Sequence, residues 1–320
     1  MSGRFARLYQ EVDASVNQES VYLHQKLAAD RINIVFLSLD FLRNPRQITC
    51  MVAPGAAPAT AGQHHDQGAA GLVSLFPHRF DPAAMAVVFA ALGQRQIPWY
   101  AMASSGSMLT VVTDFAVQQQ AADALAEYAQ LPPGHGPLRV QQDYDDIARR
   151  LKSAPETVAQ YVEARIRTYG IAVKTGLKLC RIDFHSHEQV LLGRALEGLA
   201  ADNAGFAYIC ANRAADGRGH LAVALDPGQT PSDAPDIAAH LAPALCSSRL
   251  EIRENVEMLC FHGPHFGDRY GIADKALGCL INAGIPVWLA GCVGATVSII
   301  VPPGMGESGV EALSTSFDRP

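Results

Sequence analysis

Met258-Leu259-Cys260-Phe261 is an apolar run that meets a turn-rich stretch, His262-Gly263-Pro264-His265-Phe266-Gly267-Asp268-Arg269-Tyr270. Ile272-Ala273-Asp274-Lys275-Ala276-Leu277-Gly278-Cys279-Leu280-Ile281 follows with apolar residues at helical spacing, and Gly284 is placed to end it. Pro286-Val287-Trp288-Leu289-Ala290 and Thr296-Val297-Ser298-Ile299-Ile300-Val301 then supply two short β-rich runs around a glycine-bearing turn. The order is strand, helix, strand, strand.

The chain contains the same pattern earlier. Residues 97–112, from Ile97-Pro98-Trp99-Tyr100 to Thr110-Val111-Val112, align without a gap on residues 285–300, from Ile285-Pro286-Val287-Trp288 to Ser298-Ile299-Ile300. The Ile-Pro entry and the central glycine coincide, and a tryptophan closely follows each entry. A duplicated unit accounts for this self-similarity.

At 320 residues the chain has room for two or more cores. Hydrophobic residues make up 49% and charged residues 18%, so much surface is expected to be hidden between repeats or subunits. A formal charge of −6 argues against a broad nonspecific nucleic-acid footprint. The seven cysteines sit mostly inside apolar runs and read as buried thiols of a reducing compartment. No signal-peptide pattern and no long apolar span is read, and a cytoplasmic location is expected.

In chain order, a short helix is expected from about Val16 to Ala29, with strands at 32–39 and 47–52. The alanine-, glycine- and proline-rich 54–70 is read as a loop. The first complete unit has strand 71–75, loop Phe76-Pro77-His78-Arg79-Phe80-Asp81, helix 82–92, strands 99–103 and 108–113, and a further helix 117–129. Asp81 before Pro82 forms a cap and first-turn pair. Residues 132–137 close the first half, an edge strand is placed at 138–141, and 144–171 is patterned as two charged helices. The second half opens with strand 177–184, continues with helix 188–201, strands 206–211 and 220–225 and a helix at about 236–245, and ends with the unit at 258–301 and a helix 307–316. The strand that would open the first half is either missing or displaced into Arg4 to Glu11.

These units resemble ACT domains, and more closely the tandem pair at the C-terminal end of aspartate kinases. The Asp/Gly-rich loop of that family is matched by residues 266–273 and loosely by 77–81. Its Ser-Ser strand connection is matched by Ala103-Ser104-Ser105-Gly106-Ser107, but becomes Gly291-Cys292-Val293-Gly294 in the last unit. The resemblance implies an α+β fold of repeated ferredoxin-like βαββαβ modules with antiparallel sheets, arranged as two tandem pairs. The pairs are expected at 1–137, with a partial first module, and at 173–320, joined by a helical connector at 138–172. It also implies an amino acid or similar small effector, bound where the first loop of a module meets its first helix. No kinase part is recognised, and no phosphate-binding Gly-x-x-x-x-Gly-Lys-Ser/Thr loop is present.

The residues favour that location on physical grounds. Gly267 and Gly271 let backbone approach a ligand, and the free amides at a helix start favour a carboxylate. Asp268 is placed to accept from a ligand ammonium, or simply to cap the helix, and Arg269 or Arg79 to hold a carboxylate. The candidate ligand-binding set is His265, Phe266, Gly267, Asp268, Arg269, Tyr270, Gly271, Ile272 and Ala273 in the last unit, with His78, Arg79, Phe80, Asp81, Ser104 and Ser105 in the first.

Other signals are read alongside. Residues 145–166 resemble a helix-turn-helix, although the second helix is poor in positive groups near its start. His185-Ser186-His187, His262 with His265, and His64-His65-Asp66 lack metal-site spacing, and no metal or cofactor is assigned. No nucleophile and base can be paired, so no enzymatic activity is expected. The expectation is a non-catalytic regulatory or sensor protein, a homodimer that signals to a protein partner and does not touch a membrane. The alternatives are a ligand-responsive transcription regulator that binds DNA through 144–171, and a scaffold without ligand.

Overall fold

A computed structural model describes residues 3–13, 21–56, 65–129, 165–229, 239–240, 249–264, 266–267 and 269–318. Four units follow one another. The first is β1 (Phe5–Val12), α1 (Leu23–Ala29), β2 (Ile34–Asp40) and β3 (Arg46–Val52). The second is β4 (His65–Leu75), α2 (Pro82–Gln94), β5 (Trp99–Ser104) and β6 (Leu109–Asp114), followed by α3 (Gln118–Tyr128). A two-residue strand β7 (Ile166–Arg167) precedes the third unit, β8 (Ile171–Phe184), α4 (Gln189–Ala201), β9 (Gly205–Arg213) and β10 (Gly219–Asp226). The last is β11 (Arg249–His262), α5 (Ile272–Asn282), β12 (Leu289–Val293) and β13 (Thr296–Val301), with α6 (Gly306–Ser314) and β14 (Phe317–Asp318) after it.

Every unit has the same strand order, with the third strand between the first and second: β1-β3-β2, β4-β6-β5, β8-β10-β9 and β11-β13-β12. The two stretches aligned in the sequence are therefore topologically alike. Antiparallel joins β2·β12, β11·β8, β9·β5 and β4·β1 link the units edge to edge. Among the described residues, twelve strands thereby form one closed antiparallel sheet.

Closure joins the two expected tandem pairs into one sheet. Strand pairing crosses the halves, joining the first unit to the fourth and the second to the third. An open sheet edge carries unpaired amides and carbonyls, and closure pairs the edge strands of each unit with those of its neighbours. The opening strand of the first half exists as β1, and β4 starts at His65, inside the stretch read as a loop. Residues 138–164, which hold most of the connector and the helix-turn-helix pattern, lie outside the described residues, as does most of the helix read at 236–245. Within 165–171, Ile166–Arg167 is a strand paired in parallel with β14, where helix was expected.

Helices cover the outside of the sheet. Trp99, Phe89 and Phe184 form an edge-to-face and stacked cluster beneath α2 and α4. Phe261 meets Phe266 and Phe317 edge to face near α5 and α6. A Cβ on Gly193 of α4 would lie 3.0 Å from the backbone nitrogen of Ala90 in α2, so small residues set how closely these two helices approach. The inner face of the sheet is packed as well, with Leu177, Leu179, Tyr208, Met258, Leu289 and Ile300 in one cluster and Phe36, Met51, Ala101 and Val293 in another. Strands covered on both faces account for the high apolar content.

The one-residue offset between the two tryptophans has a structural reason. Trp99 aligns with Val287, and both pack against the helices. Tyr100 aligns with Trp288, and each carries an arginine over its ring: Arg7 at 3.3 Å and Arg253 at 4.8 Å from the ring centroids.

Candidate ligand-binding joints between units

The loop between β11 and α5 is shaped by close packing. A Cβ on Gly263 would lie 2.3 Å from the carbonyl oxygen of Arg167, so only glycine passes there. Phe266 turns inward, 2% exposed, and meets Phe261 edge to face. Gly271 occupies the N-cap of α5 with φ 77°, a left-handed conformation suited to glycine, and gives no side-chain cap. Ile272 and Ala273 are buried just inside the helix, while Tyr270 is exposed. His265 and Asp268 lie outside the described residues.

The other wall of this joint comes from the first unit. Asn33 Nδ2 donates to the carbonyl of Gly267, and Ala28 lies 3.9 Å from where a Cβ of Gly271 would stand. His24 of α1 places Nε2 4.0 Å from the carboxylate of Asp274 in the first turn of α5. Its ring stacks on Tyr22, and Nδ1 has no hydrogen-bond partner among the described residues. Burial pushes the His24 imidazole down to about 4.

The matching loop of the second unit faces the third. His78 is buried, donates through Nε2 to the carbonyl of Ser105 at 2.9 Å, and accepts at Nδ1 from the backbone N–H of Phe80 at 2.9 Å. Both bonds suit the neutral ring, and burial lowers its pKa. Arg79 and Phe80 have positive φ, 51° and 59°, and Arg79 is exposed. Phe206 at the start of β9 packs against both rings and donates its N–H to the carbonyl of Phe80. Asp81 caps α2 by accepting from Ala83 N at 2.8 Å. Ser104 Oγ accepts from Ile209 N at 2.9 Å, and the Ser105 hydroxyl lies within its own turn against Met108.

The two joints are therefore equivalent in place and unlike in content. In each, a loop after a first strand meets the start of a neighbouring unit's second strand. His78, Phe80, Asp81, Ser104 and Ser105 are brought together, and their polar groups are already used internally. At the other joint the start of α5 has no side-chain cap at its N-cap residue. Sequence reasoning missed Asn33, His24 and Phe206, because each belongs to the opposite wall and no local pattern marks it, and it missed Asp274, which matters only through its contact with His24.

A second polar group was also missed. Arg43 donates to Asp183 at 2.6 Å, and His220 Nδ1 lies 3.0 Å from the same carboxylate oxygen. Arg181 bonds Glu251 at 2.7 Å and lies 3.9 Å from Asp40. Burial pushes the Asp40 carboxyl up against the pull of Arg181 and Arg43. For Asp183 burial also opposes ionisation, but the bonds from His220 and Arg43 together outweigh it and hold the carboxyl below its usual range. With acids and bases bonded to one another, this cluster ties the first, third and fourth units together. The signal in the sequence was an acid at or next to the end of a strand, Asp40 closing the apolar β2 and Asp183 one residue before the end of β8.

No family profile matches the chain, and no curated protein matches it in sequence. Solved structures do. The aspartate kinase from Synechocystis superposes with a TM-score of 0.71 over 98% of this chain and 54% of that one, at 13% identity. The regulatory subunit of aspartate kinase from Thermus thermophilus matches 49% of this chain and 100% of its own, with a TM-score of 0.42 and 14% identity. Aspartokinase III from E. coli, in complex with lysine and aspartate, matches 45% of this chain and 32% of its own, with a TM-score of 0.35 and 18% identity.

The chain thus has the fold of a little over half of the Synechocystis enzyme, with an antiparallel sheet and aspartate kinase regulatory regions among its structural neighbours. The expectation that the chain is not an enzyme is corrected by this match, since the protein that its whole fold superposes on is an enzyme, aspartate kinase. That expectation rested on the lack of a recognisable nucleophile and base in these residues, and the match spans about half of the enzyme. Among the described residues no helix is long and apolar enough to cross a membrane.

Proposed function

We propose that this chain serves as the effector-sensing region of an enzyme of aspartate kinase type, binding an amino acid at the joint between the fourth and first units. The observation that carries the reading is the start of α5, whose N-cap is an uncapped left-handed glycine set against another unit. Free amides and the helix dipole favour a carboxylate there. In this proposal the backbone of Gly267, Gly271, Ile272 and Ala273 receives the carboxylate with help from Arg269, Asp268 accepts from the ammonium, and His265, Phe266 and Tyr270 form the walls.

The second unit's joint, with His78, Arg79, Phe80, Asp81, Ser104 and Ser105, is read as its structural counterpart, because its cap and ring nitrogens are already bonded. The ligand gains leverage by touching two units at once, since it shifts an equilibrium only through unequal affinity for two arrangements. We place the protein in the cytoplasm as a dimer, with paired units on either side of a connector at 138–172.

Isothermal titration with the twenty amino acids, lysine first, tests the sensing role. Binding of one of them, lost in Asp268→Ala with the fold intact, supports the site. Unchanged affinity in that variant rejects the loop, and no binding of any amino acid rejects the role. Aspartate-dependent ADP formation from ATP by the same preparation tests the enzyme assignment.

A further inference from the structure

A cavity of about 260 Å³ opens at the end of the closed sheet remote from the charged cluster around Asp40. It lies where the first, second and fourth units meet. Phe36, Leu72, Met108 and Val293 supply apolar walls, and Ser74 and Thr110 supply hydroxyls. The turn between β5 and β6 and the turn between β12 and β13 converge on it. These are the two turns around the central glycines of the gap-free repeat, Gly106 and Gly294. At Gly294 the chain takes φ 60°, and a Cβ there would lie 3.4 Å from the Met108 methyl.

We infer that this cavity is a binding site for a small uncharged molecule with an apolar body and one hydroxyl or carbonyl head. Among the described residues no charged side chain lines it, so an ion or zwitterion entering it would lose hydration without a countercharge. Its size is below the roughly 300–1,000 Å³ of drug-sized ligand pockets, which restricts the occupant to a compact molecule. The Ser74 and Thr110 hydroxyls lie 2.8 Å apart and bond to each other. One such bond uses a single proton of the pair, which leaves the second proton and the remaining lone pairs to serve a ligand head. Thr110 is buried and Ser74 exposed, so the head is held at the wall between inside and mouth. A bound molecule would touch three units and favour the closed sheet over looser arrangements. The site shares no residue with the loop of 262–273, so the fate of the amino-acid proposal does not decide it.

The test is methyl NMR on the full chain, with benzyl alcohol as the probe and toluene as its headless counterpart. Saturable shifts of the Met108 and Val293 methyls with benzyl alcohol are expected. Thr110→Val keeps the shape and removes the head's partner. It is expected to weaken benzyl alcohol by roughly three- to tenfold and leave toluene unchanged. Absence of saturable shifts at these methyls in the unaltered protein overturns the site without recourse to any variant. Equal responses of the two probes to Thr110→Val overturn the assigned ligand class.

Discussion

His24 and Asp274 face each other across the joint of the first and fourth units, imidazole Nε2 4.0 Å from the carboxylate, on helices far apart in the chain. His24 is 1% exposed, and burial holds its pKa at about 4 instead of the ordinary 6.5. Burial also raises Asp274, against the pull of Lys275, so the carboxylate compensates a charged His24 poorly in acid.

The unfolded chain therefore binds a proton at this histidine before the folded one does. Its contribution to stability is complete above pH 6.5 and is lost as the pH falls toward 4, by about 3 kcal/mol at most. Urea unfolding at pH 7 and pH 4.5 should show a smaller drop for His24→Leu than for the unaltered protein. Equal drops would mean that the imidazole is not buried in the neutral form.

Tyr208 and Gly291 form a second close pair inside the sheet. The buried tyrosine hydroxyl meets the Cys210 thiol, and a Cβ on Gly291 would lie 2.5 Å from it. Tyr208→Phe removes a hydroxyl held only by a weak thiol partner and is expected to change stability by less than about 1 kcal/mol. Gly291→Ala is expected to destabilise by about 1–3 kcal/mol through overpacking. Combining the two should recover part of that loss, and denaturant midpoints of the four proteins measure the non-additivity.

Arg43 and Asp183 join the first unit to the third, and His220 shares the carboxylate. Asp183→Ala leaves the guanidinium and the imidazole without their partner and should cost about 2 kcal/mol, allowing for partial exposure. A double-mutant cycle with Arg43→Ala should give a coupling near 1 kcal/mol. Because the Asp183 pKa is depressed, this contribution is present above the ordinary carboxylate range and is lost as the pH falls below it. A coupling indistinguishable from zero at pH 7 would remove the pair from the interactions holding the sheet closed.

Gly271 starts α5 in the left-handed region. Gly271→Ala should cost about 1–2 kcal/mol, and Gly271→Asn less, because asparagine tolerates that conformation better. Thermal unfolding of the two variants distinguishes this backbone requirement from one imposed by side-chain contact, in which asparagine would be the worse of the two.

The unit itself was legible in the sequence. β-rich runs at 286–290 and 296–301, and the gap-free match of 285–300 to 97–112, announced the same strand-helix-strand-strand unit twice. Asp81 before Pro82 announced the start of α2. These are local signals, in which side-chain spacing reports directly on backbone geometry. The partners of each unit were not legible. An exposed strand edge offers the same amides and carbonyls to any other edge, so β2 pairing with β12 and β5 with β9 leaves no periodic trace. That choice rests on contacts made only after the units meet, such as Gly193 against Ala90, Asn33 on Gly267, and Arg43 on Asp183. The residues therefore specify the repeated strand-helix-strand-strand unit by themselves. Tertiary packing alone decides that four of them close into one sheet, because closure is a property of edges and helix faces in combination.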